Sequence, residues 1–180
     1  MERCRMVFSG SGGQGVITAA IILAEAAVLH EGLEAVQTQA YGAAARGGAT
    51  RSDVIIADTP INFPKVVQPN VLVCLTQEAY NKFVGIIRPG GLLVTDSRFV
   101  QPNLKVDAIQ RQLPMYKTVM DAIGKPIVFN ICMLGALLGL TDLVRPEAIM
   151  KVLEERIPPG FLEMNRKALT LGLELGKLNQ

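Results

Sequence analysis

The sequence predicts a three-layer, Rossmann-like α/β fold with a mostly parallel sheet and a helical carboxyl-terminal part, and three observations carry that expectation. An apolar strand over Cys4–Ser9 runs into a loop with four glycines in six residues, and an alanine-rich helix follows at once. Strand and helix signals then alternate through the first half of the chain. After the fifth strand signal the pattern turns mostly helical.

Taken in order, the first helix is expected from Val16 to about His30, with Ala, Ile and Leu on nearly every face, so it should be deeply buried. Gly32 stops it, and a second strand follows over Ala35–Ala40. A Gly- and Ala-rich passage from Tyr41 to Thr50 leads into a β-branched run, Ser52–Asp58, that Thr59-Pro60 ends. No helix separates this third strand from the second, so it is expected to pair antiparallel and make the sheet mixed. Val71–Leu75 is fully apolar, as a central parallel strand should be. Thr76 has the chemistry of a cap for a helix containing Glu78, Tyr80 and Phe83. Pro89-Gly90-Gly91 then turns the chain into a fifth strand, Leu92–Asp96. Further helices are expected over about Ile127–Leu140, from Pro146-Glu147, and after Pro158-Pro159-Gly160 to near Leu178. With no repeat or flexible linker, residues 1–180 are expected to form one domain.

Bulk properties narrow the function classes. The net charge is +2 with acids and bases mixed, so no basic tract points to nucleic acid or an anionic membrane. Hydrophobic residues make up 49% and charged residues 19%, an apolar surplus that suits burial against partner chains. The nearly uncharged stretch Pro126–Leu140 is too short to span a bilayer. Cys4, Cys74 and Cys132 lie far apart, which suggests a reducing compartment and cannot supply an iron–sulfur cluster. The amino terminus lacks the charged and apolar blocks of a signal peptide, so a cytoplasmic protein is expected. The one histidine, His30, falls at a helix end where solvated surface is its expected setting, and no metal-ligand spacing appears. Asp96 and Glu78 are the one carboxylate pair worth weighing, although strand-end acids more often cap helices or turns. No catalytic set emerges.

The chemistry gathers at the glycine loop. Gly10, Gly12 and Gly15 satisfy G-x-G-x-x-G between a strand and a helix, with Ser11, Gly13 and Gln14 filling the spacing. Glycine permits a tight turn and close approach of backbone to a ligand, while the helix presents free N–H groups and its positive dipole end there. An anion, most often a phosphate, is the natural occupant. A dinucleotide would call for an acid at the end of the second strand. That strand ends in none, and Glu31 and Glu34 precede it. The alternative in which the glycines only pack the helix on the strand also stands. Arg46, between three alanines and Gly47-Gly48, offers a planar fork suited to phosphate or carboxylate, or to a salt bridge or subunit contact.

Three ordered motifs resemble one family: Gly10-Ser11-Gly12-Gly13-Gln14-Gly15-Val16, then Tyr41-Gly42 with Arg46-Gly47-Gly48, then Ser52–Asp58 with Pro60-Ile61. It is the gamma subunit, or gamma domain, of 2-oxoacid:ferredoxin (acceptor) oxidoreductases. The likeness continues through Asp96-Ser97, Asn130 ahead of Met133-Leu134-Gly135-Ala136, and Asn165, Ala168 and Gly172, so it covers essentially the whole chain. Ala43 and Ala44 stand where the family usually has proline and glutamate, so the family's carboxylate has no counterpart here. The resemblance implies a free-standing gamma subunit of an assembly that oxidatively decarboxylates a 2-oxoacid with coenzyme A, giving acyl-CoA, carbon dioxide and reduced ferredoxin. Thiamine diphosphate and the 4Fe-4S clusters would belong to alpha, beta and, where present, delta subunits. Coenzyme A is implied for this chain, with the glycine loop as the cradle for its phosphate or its pantetheine and Arg46 as a further phosphate contact, and 2-oxoglutarate is slightly favoured as the 2-oxoacid. A purely structural scaffold subunit and an independent dinucleotide-binding oxidoreductase are the rival readings.

Overall fold

The computed structural model describes residues 3–40 and 48–180, apart from the side chain of Ala40. Arg46 and Gly47 therefore lie outside the described residues. Six strands form one sheet in the order β2-β3-β1-β4-β5-β6. They are β1 (Cys4–Gly10), β2 (Glu34–Ala40), β3 (Thr50–Ala57), β4 (Val71–Cys74), β5 (Gly91–Asp96) and β6 (Ala108–Leu113). β1, β4, β5 and β6 pair parallel, whereas β3 runs antiparallel to both β1 and β2. The mixed sheet expected from the missing crossover helix is thus present, with β3 alone reversed.

Six helices complete the described fold: α1 (Val16–Glu31), α2 (Gln77–Phe83), α3 (Met115–Ala122), α4 (Phe129–Thr141), α5 (Pro146–Arg156) and α6 (Pro159–Lys177). α1 ends at Gly32, whose φ of +66° is the left-handed cap a side chain would oppose. The Thr76 hydroxyl caps α2 by accepting the Ala79 N–H at 3.1 Å, as its sequence position suggests. One face of the sheet carries Met6, Phe8, Val54, Ile56, Val73 and Val94 into a core shared with α1, α3 and α4, with α5 and α6 packed beyond. The other face carries Val7, Ile55, Leu72 and Leu93 against α2 and the irregular segments 58–70 and 97–107.

Two elements after β5, the strand β6 and the helix α3, are not among those the sequence predicts for this mostly helical part. β6 joins the sheet edge, hidden in the sequence because Gln110, Arg111 and Gln112 give an edge strand little apolar content. α3 follows it, capped from a distance. The buried Asp96 carboxylate, at the end of β5, accepts the Tyr116 N–H at 2.8 Å and the Arg98 N–H at 2.9 Å. Glu78 is exposed on the first turn of α2, so the two acids serve separate helices.

α4 is buried on all sides from Phe129 to Gly139, and it tolerates this because α6 lies against its backbone. Gly135 and Gly139 on α4 face Gly172 and Gly176 on α6 at four-residue spacing, which keeps each pair on one helix face. A Cβ at Gly172 would collide with the carbonyl oxygen of Cys132, and one at Gly176 with that of Ala136. Each of the four glycines is therefore fixed by the closeness of the two helices. Gly160, also in α6, would meet nothing within 4 Å. Gly172→Ala is expected to lower the unfolding free energy in urea titration by about 1–3 kcal/mol through overpacking. Gly160→Ala should leave it within about 0.5 kcal/mol.

Candidate functional site

The glycine loop opens at the carboxyl end of β1, where the strand order changes direction: the chain runs from β1 out to β2 and β3, then returns to β4 on its other side. In open α/β sheets such a point is where ligands bind. The loop is tied to both neighbours. Ser9 Oγ donates to the Thr50 carbonyl at 2.8 Å, and Thr50 Oγ1 donates to the Gly10 carbonyl at 3.0 Å, joining it to β3. Gln14 Nε2 donates to the Leu75 carbonyl at 3.1 Å, joining it to the end of β4. Gln14 Oε1 accepts the Ser11 N–H at 2.8 Å and closes the short 3-10 turn Gly12–Gln14. Gln14 is thus a loop brace with both side-chain atoms engaged.

The four glycines divide into two kinds. A Cβ on Gly10 would lie 2.5 Å from Gln14 Oε1 and 3.2 Å from Leu75 Cβ. Gly15 has φ +70°, and a Cβ there would lie 2.6 Å from Asn130 Nδ2. The fold needs glycine at both places. At Gly12 the nearest atom to an added Cβ is Thr50 Cγ2 at 4.0 Å, and at Gly13 nothing lies within 4 Å. Neither has a positive φ. Packing gives no reason for glycine at these two positions, whereas close approach of a ligand does.

α1 begins directly after the loop with nothing built to satisfy it. Gly15 at its N-cap has no side chain to offer, and the first turn contains no acid. The first-turn N–H groups are left for a ligand or solvent, and the dipole favours an anion. Beside them lies a cleft of about 400 Å³, bounded by Gly13–Gly15 and Thr18, by Asn130 and Ile131 at the start of α4, and by Phe161, Met164 and Asn165 at the start of α6. Ile127 and Phe161, 73% and 49% exposed, stand at its rim. Asn130 Nδ2 donates to the Gly15 carbonyl at 3.2 Å, fastening α4 to the loop. The glycine motif found the loop, but the cleft's other residues arrive from more than a hundred residues away. Their signal in the sequence was the family likeness at Asn130 and Asn165.

Gly48 belongs to the same neighbourhood: it stands two residues before Thr50, which pairs with Gly10, and its φ of +146° favours glycine. A second cleft, of about 560 Å³, lies at the opposite end of the sheet, where Arg5, Lys65 and Arg88 line it with Phe63 and Val67.

Other reactive groups take structural settings. Burial pushes the Cys74 and Cys132 thiols up to about 12, the latter aided by the charge of Asp96, and Cys4 up to about 11. None is a thiolate nucleophile at neutral pH. Burial also raises the Asp96 carboxyl above its ordinary range, against the pull of the backbone N–H groups it accepts. His30 is half-buried with its Nε2 enclosed and unpartnered, rather than on solvated surface. Among the described residues no three His, Cys, Asp or Glu side chains converge as a metal site, and no helix is long and apolar enough to cross a membrane.

Comparison with known proteins agrees with this architecture. Residues 5–175 match the family described as Pyruvate ferredoxin/flavodoxin oxidoreductase. The 2-oxoglutarate synthase subunit KorC of Methanocaldococcus jannaschii is 45% identical over 94% of this chain and 91% of its own. The pyruvate synthase subunit PorC of Methanothermobacter marburgensis is 31% identical over 93% of this chain and 94% of its own. Among solved structures, the gamma subunit of keto/oxoacid ferredoxin oxidoreductase from Geobacter sulfurreducens superposes with a TM-score of 0.91 at 40% identity, covering 99% of both chains. The chain belongs to the pyruvate ferredoxin/flavodoxin oxidoreductase family, and the gamma-subunit resemblance read from its motifs holds along its length.

The division among the glycines has a direct consequence for stability. Gly15→Ala should cost about 1–2 kcal/mol for the left-handed backbone alone, with the Asn130 contact adding to it. Gly13→Ala should be neutral or stabilising by up to about 1 kcal/mol in the same denaturant titration.

Proposed function

We propose that this member of the family is the gamma subunit of a 2-oxoglutarate:ferredoxin oxidoreductase, in which it binds coenzyme A and helps hold the assembly together. The observation that carries the reading is the uncapped amino terminus of α1, opening beside two glycines that packing does not require and onto a cleft of ligand size. A phosphate of the coenzyme would sit at the first-turn N–H groups of α1, where Gly12 and Gly13 let it approach. Arg46 and Gly47, in the passage that precedes Gly48, are proposed to complete the anion site with a guanidinium fork. Gly10, Ser11, Gln14 and Gly15 shape the loop rather than touch the reacting atoms.

The oxidative decarboxylation itself is assigned to partner alpha, beta and, where present, delta subunits, which would hold thiamine diphosphate and the 4Fe-4S clusters and pass electrons to ferredoxin. In this reading the chain supplies no catalytic residue. Its reactive side chains fit that division, since the Cys74 and Cys132 thiols are buried and the Asp96 carboxylate is spent on capping α3. Exposed Leu104 and Leu178, at 85% and 84%, are apolar surface for such partners. Choice of 2-oxoglutarate rests on the relatives, 45% identity to a 2-oxoglutarate synthase subunit against 31% to a pyruvate synthase subunit. A cytoplasmic location is part of the same reading.

Calorimetric titration of coenzyme A into the assembled subunits tests it. Gly13→Val should weaken binding about ten-fold or more, roughly 1.4 kcal/mol, while the subunits still co-purify. Unchanged affinity in a correctly assembled variant would favour the scaffold reading instead.

A further inference from the structure

We infer that the cationic cleft at the end of the sheet away from the glycine loop docks an acidic segment of a partner subunit, with carboxylates on its cations and apolar side chains on Phe63 and Val67. The inference rests on the assembly part of the reading above and does not depend on where the coenzyme binds. The cleft measures about 560 Å³ and its charge has one sign. Arg5 near the start of β1, Lys65 in the irregular segment 58–70 and Arg88 ahead of β5 line it, and no acid does. Among the described residues, no ion pair reaches any of these three cations. Arg3 stands two residues before Arg5, and its Nε is enclosed and unpartnered. In a chain of net charge +2 these cations, drawn from three separate stretches, are a local excess that only folding assembles. Like charges brought together repel, and carboxylates arriving from outside relieve that repulsion.

The apolar part of the cleft is held in place. Arg3 donates to the Phe63 carbonyl at 2.7 Å, and Arg51 to the Val66 carbonyl at 2.8 Å. The Arg88 N–H donates to the Pro69 carbonyl at 3.2 Å, and Asn70 Oδ1 accepts the Arg5 N–H at 2.9 Å. Val66 is buried, which anchors the segment from below. On this tethered backbone Phe63 and Val67 nevertheless stand 56% and 67% exposed beside the cations. A segment fixed at four points needs little further ordering when a partner arrives. Exposed apolar side chains, an aromatic among them, interleaved with arginine have the make-up of a protein interface. A small anion would engage the cations and leave both apolar side chains in water. A partner segment with Asp or Glu beside an apolar residue engages both. Half-buried Arg5 is its anchor, because its fork meets a carboxylate partly out of water, while exposed Lys65 and Arg88 add screened attraction.

The test measures association of the full chain with the remaining subunits of the oxidoreductase. Lys65→Glu combined with Arg88→Glu is the variant, because both side chains are exposed and bond nothing in the fold. It should weaken association about ten-fold or more in low salt, and by less at about 0.5 M salt, with the melting temperature of the chain unchanged. Lys151→Glu, an exposed position on α5, makes a charge reversal elsewhere and should leave association as in the wild type. A carbodiimide, which joins an amine to a carboxylate in contact with it, should link Lys65 to an Asp or Glu of a partner subunit in the wild-type assembly. Association unchanged in the double variant would overturn the inference. So would an equal loss with Lys151→Glu, which makes net charge the cause, or Lys65 linked to a second copy of this chain. Wild-type chain that fails to associate at all would instead remove the assembly reading, and this inference with it.

Discussion

The backbone-to-backbone contact of α4 with α6 is the constraint on which the site depends. Four glycines let two helices lie closer than any side chain would allow, and α4 is buried on every face as a result. Dispersion between the helices and burial of Cys132, Ala136 and Leu169 reward that closeness. The functional consequence is positional. Asn130 at the start of α4 bonds the glycine loop and Asn165 near the start of α6 lines the same cleft, both from one rigid pair, so the cleft is set by helix packing rather than by loop conformation.

The loop has its own division of labour. Gly10 and Gly15 are demanded by neighbours that would collide with a side chain, Gln14 braces the turn to β4, and Ser9 with Thr50 ties it to the reversed strand β3. With those contacts satisfied internally, Gly12, Gly13 and the first turn of α1 are the parts left open. An anion held there would meet a preorganised site, which costs less ordering on binding than a flexible loop would.

Much of this was legible in the sequence, and the gaps have physical causes. The β1–loop–α1 unit announced itself because an apolar run, glycines and an alanine-rich helix are local signals. The antiparallel β3 was legible from the absence of a crossover helix. β6 was not, because an edge strand needs little apolar content, and α3 was not, because Asp96 caps it from another strand. All four loop glycines look alike in sequence, yet only their neighbours in space separate those the fold requires from those it does not. Asn130 and Asn165 stood out as matches to the family, but that they share one cleft is a fact of tertiary structure. The placement of His30 differed because its ring is enclosed at the end of α1 rather than solvated.

Two clefts of comparable size compete for an anionic coenzyme: the one beside α1, and the cationic one lined by Arg5, Lys65 and Arg88 at the other end of the sheet. Net charge attraction favours the second, whereas helix dipole and glycine approach favour the first. Amide hydrogen exchange on the assembled oxidoreductase, with and without coenzyme A, separates them. The account predicts slowed exchange over Gly12–Thr18 and the first turns of α4 and α6 when the coenzyme is present. Unchanged exchange there, with slowing confined to the segments around Arg5 and Arg88, would contradict it.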